Sequence, residues 1–290
     1  MANPPHETAP MVGSPVPPRR RIRLQFLPHA VLLILVVTTF YPLVFTLLAS
    51  LKSNAQFYST FWVPTAPFHW ENYLKAWKEL SRGFLNSVVV SSVSVTGVVL
   101  MSGLAAWTFA RYRWPGKEVL YYLILGLMMV PAFLTLVPLY WMVRELRLTG
   151  SLAAVFLPYL AGGQVFPIFL MRAFFENLPG ELFDSARLDG AGEITIFLRI
   201  GMPLCVPIVI TVAIMDVMGT WNDFFWPLLA VGQNRDLYTV MVRTFNLTGL
   251  MPDYGLLTSA YVIISVPLIL MFIFGMRYYI SGLTSGAVKM

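Results

Sequence analysis

The most polar stretch of the chain is Glu-Leu-Phe-Asp-Ser-Ala-Arg-Leu-Asp-Gly-Ala-Gly-Glu, residues 181–193, and long charge-free runs stand on both sides of it. Its residue types predict a short helix. Pro179 suits a first helical turn, and Glu181 and Asp184 put negative charge near the positive N-terminal end. Gly190 can end the helix in the left-handed conformation, which glycine adopts at low cost.

An apolar face is predicted on this helix, because Leu182, Phe183 and Ala186 recur at helical spacing. A lone short amphipathic helix is only marginally stable in water. The segment is therefore either a surface helix packed on its own bundle or a helix that docks in the groove of a partner.

Two polar side chains lie inside apolar runs. Asp216 is the one acidic residue within the run from about 197 to 218, and a carboxyl inside a membrane marks a functional site by default. The alternative is a position near the outer interface, a few residues before Trp221. Gln164 lies among prolines and glycines that interrupt its run, which fits either static kinks or a solute path with bending helices.

An aromatic and polar cluster follows at residues 221–226, Trp-Asn-Asp-Phe-Phe-Trp. Sugar sites combine aromatic faces with carboxylates and amides, so Trp221, Asn222 and Asp223 suit a carbohydrate. Tryptophans at this depth also form an interfacial belt, and this explanation remains open.

Several kinds of reactive site have no counterpart in the sequence. No Gly-x-x-x-x-Gly-Lys-Ser/Thr motif is present, so we do not expect the chain to bind ATP. His6, His29 and His69 lack metal-ligand spacing. The single cysteine, Cys205, suits a small core residue. We expect no cofactor, no metal and no catalytic residue.

The elements that carry these residues are predicted to cross a membrane. Of 290 residues, 57% are hydrophobic and 12% are charged, and the mean hydropathy is +0.70; a soluble domain carries about a quarter charged residues. Six apolar runs meet the length of about 20 residues that a spanning helix needs. The net charge of +6 then marks cytoplasmic flanks and not a nucleic-acid surface. The runs cover residues 24–51, 83–110, 119–143, 148–171, about 197–218, and 254–276.

Basic residues predict the orientation. Four arginines at residues 19–23 precede the first run, which favours a cytoplasmic N-terminus, and six spans return the C-terminus to the same side. A signal peptide has a similar start, but no convincing small-residue cleavage site follows, so we predict an uncleaved anchor. The predicted segments are a disordered Pro/Arg-rich cytoplasmic tail at 1–23, a first spanning helix at 24–51, an external loop at 52–82, a five-helix core at 83–280 and a cytoplasmic C-terminal tail at 281–290.

The polar stretch and the residues after it resemble the cytoplasmic "EAA" loop of bacterial ABC importer permeases. The family pattern is roughly Glu-Ala-Ala-x-x-Asp-Gly-Ala, then Phe-x-x-Ile-x-Leu-Pro-x-x-x-Pro. This chain has Asp184 for Glu, Ser185 for the first Ala and Met202 for Leu, and all three changes are mild in charge or volume. The matching segment comprises residues 184–191, Phe197, Ile200, Met202, Pro203 and Pro207.

Two further stretches resemble the carbohydrate branch of these permeases, the MalG-like proteins. They are Trp-Asn-Asp-Phe-Phe-Trp-Pro-Leu at 221–228 and Gly-Leu-Thr-Ser-Gly-Ala-Val-Lys at 282–289. The resemblance implies an all-α integral membrane protein with six transmembrane helices of the type I ABC importer permease fold. It also implies a multi-pass subunit of the bacterial inner membrane that imports a sugar or oligosaccharide.

The resemblance further implies partners and site residues. The partners are a second, MalF-like permease, an ABC ATPase dimer and an extracytoplasmic solute-binding protein, in contact with membrane lipid and without nucleic acid. The coupling loop is predicted at about 176–195, and residues 244–261 resemble the external loop that meets the binding protein in maltose-type permeases. The predicted ATPase-coupling residues are Glu181, Leu182, Phe183, Asp184, Ala186, Asp189 and Gly190; those predicted for the solute path are Gln164, Asp216, Trp221, Asn222 and Asp223.

Other functions stay open at this point. One is an ABC permease for a non-sugar solute such as glycerol phosphate. Another is a self-contained secondary transporter, but such a protein has no reason to carry an ATPase-docking helix, and no buried acid pair indicates ion coupling. A membrane enzyme lacks support from any nucleophile–base or metal constellation.

Overall fold

A computed structural model describes residues 19–287, with side chains described for residues 28–278. Residues 1–18 of the predicted N-terminal tail, including His6, lie outside the described residues, as do residues 288–290 of the predicted C-terminal tail. Within the described part every regular element is a helix. The first helix begins at Arg19, inside the segment predicted as a tail, and the last ends at Ala287.

Fourteen α-helices follow one another along the described chain. A 3₁₀ turn at Leu127–Met129, another at Arg235–Leu237 and a π-helical stretch at Phe197–Gly201 lie between them. The helices are α1 Arg19–Ser50, α2 Asn54–Ser59, α3 Glu71–Arg111, α4 Lys117–Gly126, α5 Ala132–Glu145, α6 Ala153–Gly162, α7 Val165–Glu176, α8 Glu181–Leu188, α9 Glu193–Ile196, α10 Met202–Leu204, α11 Val206–Asn222, α12 Phe225–Val231, α13 Val240–Asn246 and α14 Tyr254–Ala287.

Six spans are compatible with these helices. Segments of α1, α3 and α14 are each long and apolar enough to cross a membrane alone. The other three spans are bent pairs: α4 with α5 at 100°, α6 with α7 at 44°, and α9–α10 with α11 at 82°. The chain divides into a unit ending at Thr46, which holds most of α1, and a unit from Leu47 onward, which holds the site described below.

Some prolines within the predicted spans break the helix and others do not. Pro131 lies at the break between α4 and α5, and the break at Cys205 falls between Pro203 and Pro207. In contrast, Pro138 lies inside α5 and Pro267 inside α14, and neither helix ends there. A proline removes one amide donor, so the helix continues only where another group satisfies the released carbonyl.

The predicted external loop at 52–82 contains more helix than expected. It holds α2 and the first twelve residues of α3, which begins at Glu71. Residues 71–82 contain no glycine or proline, and Ala76 and Leu80, one helical turn apart, are buried against Trp221 of α11. This packing extends the helix beyond the apolar run that predicted it.

The largest cluster of buried apolar residues in the second unit lies around the C-terminal end of α3. α3 is its central element and contacts α6, α7, α11, α13 and α14. Trp107 near the end of α3 meets three aromatic rings, with centroid distances of 4.9 Å to Phe183, 5.3 Å to Phe175 and 6.0 Å to Phe197. This aromatic cluster joins the end of α3 to the polar stretch at 181–193.

Candidate coupling helix and solute path

The polar stretch forms α8, and a Schellman cap ends it. Gly190 has φ +83°. The Ala191 N–H donates to the Ala186 carbonyl at 2.9 Å and the Gly190 N–H donates to the Arg187 carbonyl at 3.0 Å. The prediction for Gly190 is thus confirmed. Pro179 lies before the helix and not in its first turn, because Gly180 is the N-terminal flanking residue.

The three apolar residues of α8 do not share one free face. Phe183 is 1% exposed and packs in the core, whereas Leu182 is 45% exposed. Ala186 is partly buried against the same core as Phe183. Leu182 and Phe183 are adjacent and so point in different directions from the helix. Leu182 is thus exposed, as is Leu188, whose side chain is 90% exposed. The predicted single apolar face is therefore wrong for Leu182, whereas Phe183 and Ala186 pack on the core of the chain itself.

Arg111, the last residue of α3, fastens α8 to the end of α7. Its guanidinium lies 4.3 Å from the centre of the Phe183 ring and 5.7 Å from that of Trp107. It donates to the Leu178 carbonyl at 2.8 Å and to the Phe175 carbonyl. Phe175 lies in the last turn of α7 and Leu178 two residues past its end, where a cation is stabilised by the helix dipole. One side chain therefore joins three elements.

The charged residues of α8 brace the loop that follows it. Arg187 donates to Asp184 at 2.9 Å and to Glu193 at 2.8 Å, and its hydrogen bond to the Glu193 carboxylate raises the pKa of Arg187. Glu181 and Asp189 are exposed at the two ends of the helix. Exposed ion pairs contribute little to stability, so their main effect is to fix the path of the loop.

A cavity of about 580 Å³ lies where three bent spans meet. Its walls come from the turn between α4 and α5, from the break between α6 and α7, and from α11. Asp216 and Gly163 both line it. A Cβ atom added to Gly163 would lie 2.7 Å from the Tyr159 carbonyl of its own preceding turn and 3.3 Å from Asp216 Oδ1, so glycine lets the break lie close to α11 without displacing either group.

Asp216 contributes a carboxyl oxygen that is not used inside the protein. Its Oδ2 atom is buried and has no hydrogen-bond partner among the described residues. Gln164 behaves differently: its Nε2 donates to the Leu160 carbonyl at 2.7 Å, its Oε1 is buried without a described partner, and the residue is not part of the cavity wall. The structure thus places one of these two polar residues at the cavity.

The aromatic cluster at 221–226 has structural contacts. The Trp221 indole donates to the Ile264 carbonyl at 3.2 Å, one turn before Pro267. Similarly, the Trp226 indole donates to the Ala154 carbonyl at 3.2 Å, four residues before Pro158. The Trp226 indole therefore supplies a donor to the carbonyl that Pro158 leaves without its helical partner, and the Trp221 indole adds a hydrogen bond close to Pro267; both tryptophans are buried.

Asp223 and Asn222 lie beside this cluster. Asp223 accepts a hydrogen bond from the Tyr159 hydroxyl at 2.8 Å and from the N–H groups of Phe225 and Trp226, so it caps α12. Asn222 is exposed and donates to the Met218 carbonyl at 2.8 Å. Asp223 does not line this cavity itself, but its hydrogen bond connects it to Tyr159, which is a lining residue.

Comparison with known proteins assigns the family. Residues 97–284 match the family described as "Binding-protein-dependent transport system inner membrane component". The chain belongs to this family. It is a multi-pass membrane permease of the ABC importer type and not a catalytic subunit, since ATP hydrolysis belongs to separate subunits in this family.

Individual relatives agree with this assignment. The permease is 32% identical over 251 residues to a probable ABC transporter permease of Bacillus subtilis, YurM, covering 86% of this chain and 83% of that one. It is 30% identical over 273 residues to the diacetylchitobiose uptake permease NgcG of Streptomyces coelicolor, covering 92% and 90%. A solved bacterial ABC transporter that imports the acidic polysaccharide alginate superposes with TM-score 0.79 at 19% identity, over 92% of this chain and 100% of that one. The predicted fold is confirmed.

Two residues of the permease make contacts at the candidate sites that the sequence does not predict. Arg111 ends the long apolar run at 83–110, and its sequence context, with Arg113 and Lys117 close behind, indicates only a basic flank. Tyr159 lies between Pro158 and the Gly162-Gly163 pair, which marks a break but not a side chain that reaches Asp223.

Proposed function

We propose that this permease is one of two membrane subunits of an ATP-driven importer for a sugar or oligosaccharide. The observation that carries the proposal is the family match over residues 97–284, which includes α8 and the cavity. The carbohydrate class rests on NgcG, whose name gives diacetylchitobiose as its solute and which aligns over 90% of its length. The partners are a second permease, an ABC ATPase dimer and an extracytoplasmic solute-binding protein.

In this proposal α8 is the coupling helix. Its outward side presents Glu181, Leu182, Asp184, Leu188 and Asp189 to the ATPase, while Phe183 and Ala186 hold it to the permease core and Gly190 sets its exit turn. The assignment of residues to the two sides follows from their exposure, since the five side chains on the outward side are exposed and Phe183 is buried. ATP must bind the closed ATPase dimer more tightly than the open one for its binding to shift the permease.

The proposed orientation places both termini and α8 in the cytoplasm. Basic residues support it: the arginines at 19–23 precede the first span, and Arg111, Arg113 and Lys117 lie on the same side in this topology. The connection 247–253 before α14 then lies outside, and its Leu250 and Met251 are fully exposed. We place the contact with the binding protein there, and membrane lipid against exposed apolar side chains of α1 and α5.

We place the solute path along the cavity at Asp216. Asp223 supports its wall through Tyr159, and Asn222 lies exposed nearby on the outer side. Trp221 and Gln164, with their inward hydrogen bonds, shape the surrounding helices and do not contact the solute.

Reconstitution of the complex in proteoliposomes tests the function. The permease, its partner permease and the ATPase are supplied with the binding protein and a panel of labelled solutes: diacetylchitobiose, melibiose, an α-glucoside and glycerol phosphate. We expect sugar uptake that requires both ATP and the binding protein. Uptake of glycerol phosphate alone would support the non-sugar alternative. Uptake driven by an ion gradient in the absence of the ATPase would overturn the proposal.

A further inference from the structure

The cavity at Asp216 is rich in hydrogen-bond acceptors and poor in available donors. The Thr135 hydroxyl donates to the Ala132 carbonyl at 2.8 Å, and the Tyr159 hydroxyl donates to Asp223 at 2.8 Å. The Thr220 hydroxyl lies 3.0 Å from the Asp216 carbonyl and 2.9 Å from the Ser91 hydroxyl. These hydroxyl protons are already bonded within the protein, and the oxygen atoms keep free lone pairs.

Asp216 adds the strongest acceptor of this wall. Its Oδ2 atom has no partner among the described residues, and a buried carboxyl without a partner is costly. Because Asp216 lines the cavity, a donor that a solute brings to its carboxyl would offset that cost. Of the described residues that line the cavity, none is lysine or arginine, so no side chain of this wall can pair with an anionic group. The cavity volume of about 580 Å³ falls in the range of small-molecule sites.

We propose that this cavity is a solute subsite that selects sugars by charge: Asp216 accepts hydrogen bonds from the hydroxyl or ammonium groups of neutral and amino sugars, and sugars that carry a carboxylate are excluded. This inference rests on the proposed function as a sugar importer. A uronate entering the cavity meets the Asp216 carboxyl and bonded hydroxyls, and it finds no cation on this wall. The solved alginate importer shares only the fold, so its acidic solute does not set the charge preference here.

The test uses the complete reconstituted complex and three labelled trisaccharides: neutral maltotriose, cationic chitotriose and anionic trigalacturonate. Each sugar that the binding protein retains, as measured by calorimetry, is supplied at equal occupancy of that protein. We compare wild type, Asp216→Asn and a control, Thr211→Val. Thr211 is buried in the same helix, bonds the Pro207 carbonyl at 2.8 Å and does not line the cavity.

We expect wild type to transport the neutral and cationic sugars at least tenfold faster than the anionic one. Asp216→Asn should slow the neutral and cationic sugars about tenfold or more, since hydrogen bonds to a charged group are the stronger kind. ATP hydrolysis stimulated by the loaded binding protein should persist. Thr211→Val should leave the transport rates of the neutral and cationic sugars within about twofold of wild type, as for a substitution away from the subsite.

The outcomes separate the inference from the proposed function. Unchanged sugar kinetics in an assembled Asp216→Asn complex would overturn the subsite. Equal transport of trigalacturonate and maltotriose by wild type would overturn the charge selection, and this measurement needs no variant that could fail to fold. Absence of any ATP-dependent sugar uptake by wild type would instead overturn the proposed function.

Discussion

Replacing Phe183 by alanine should loosen α8 without touching its outward face. Phe183 is 1% exposed, its ring centroid lies 4.9 Å from that of Trp107 at 86°, and the Arg111 guanidinium lies 4.3 Å above it. Removal of a buried phenylalanine costs about 3–5 kcal/mol. Within that loss, the edge-to-face aromatic pair accounts for roughly 0.5–1.5 kcal/mol and the cation–π contact for about 0.5–2 kcal/mol.

Leu182→Ala is the matched variant, because it changes the neighbouring residue, which points about 100° away around the helix and is exposed. At 45% exposure this change should alter the stability of the permease by less than about 0.5 kcal/mol. If α8 docks on the ATPase, it should nevertheless weaken co-purification of the ATPase. Phe183→Ala should instead lower the thermal midpoint of the permease and speed amide hydrogen exchange at residues 181–188.

Two results would refute this reasoning. A wild-type thermal midpoint and wild-type exchange in Phe183→Ala would show that the aromatic cluster does not hold α8. Full co-purification and normal stimulated ATP hydrolysis in Leu182→Ala would show that the outward face is not the docking surface.

Further changes test the surroundings of α8 and the topology. Gly190→Val forces a β-branched residue to φ +83°, which should destabilise the turn by about 1–2 kcal/mol and abolish stimulated hydrolysis, measured beside the thermal midpoint. Arg111→Lys keeps the charge but loses the planar fork that meets two carbonyls, and should raise ATP hydrolysis per sugar imported while the protein still inserts in membranes. Ala186→Glu places a carboxylate in a partly buried contact and should reduce ATPase co-purification. Cysteines introduced at residues 5 and 285 should react only in inside-out vesicles, and labelling from outside intact cells would contradict the topology.

The spans could be predicted from the sequence because the bilayer imposes a simple length and polarity rule. The breaks were harder to predict. Pro131 breaks a span, but Pro158 and Pro267 do not. Distant residues contribute to this difference: Trp226 donates to the Ala154 carbonyl, which Pro158 leaves without its helical donor, and Trp221 donates to the Ile264 carbonyl, three residues before Pro267. The sequence does not indicate such partners.

The capping of α8 was predictable, whereas its orientation was not. Gly190 determines the end of the helix through its own backbone, so local sequence is sufficient. The choice of Phe183 over Leu182 as the buried residue depends on Trp107 and Arg111, which come from α3, far away in the chain. Helical spacing alone gives the angle between two side chains but not the side on which the core lies.

The two acidic residues of the candidate solute path also have roles that the sequence does not distinguish. Asp216 and Asp223 are both acids near one end of a span, and sequence reasoning grouped them. The structure separates their roles, because Asp223 lies just past the end of α11 and caps α12 with two backbone N–H groups. Asp216 lies in the body of α11, where its Oδ2 has no partner among the described residues.

A continuous set of contacts joins α8 to the cavity. Arg111 bonds the C-terminal carbonyls of α7 and covers Phe183 of α8, so a displacement of α8 moves the end of α7. α7 is a twelve-residue helix, and its other end is the break at Gly163, which lies against Asp216. Because the break bends α6 from α7 by 44°, motion of α7 can change that angle without unwinding either helix. The residues that hold the proposed coupling helix and Asp216, the proposed solute contact, would then respond to the same hinge, as the proposed coupling of ATP hydrolysis to transport requires.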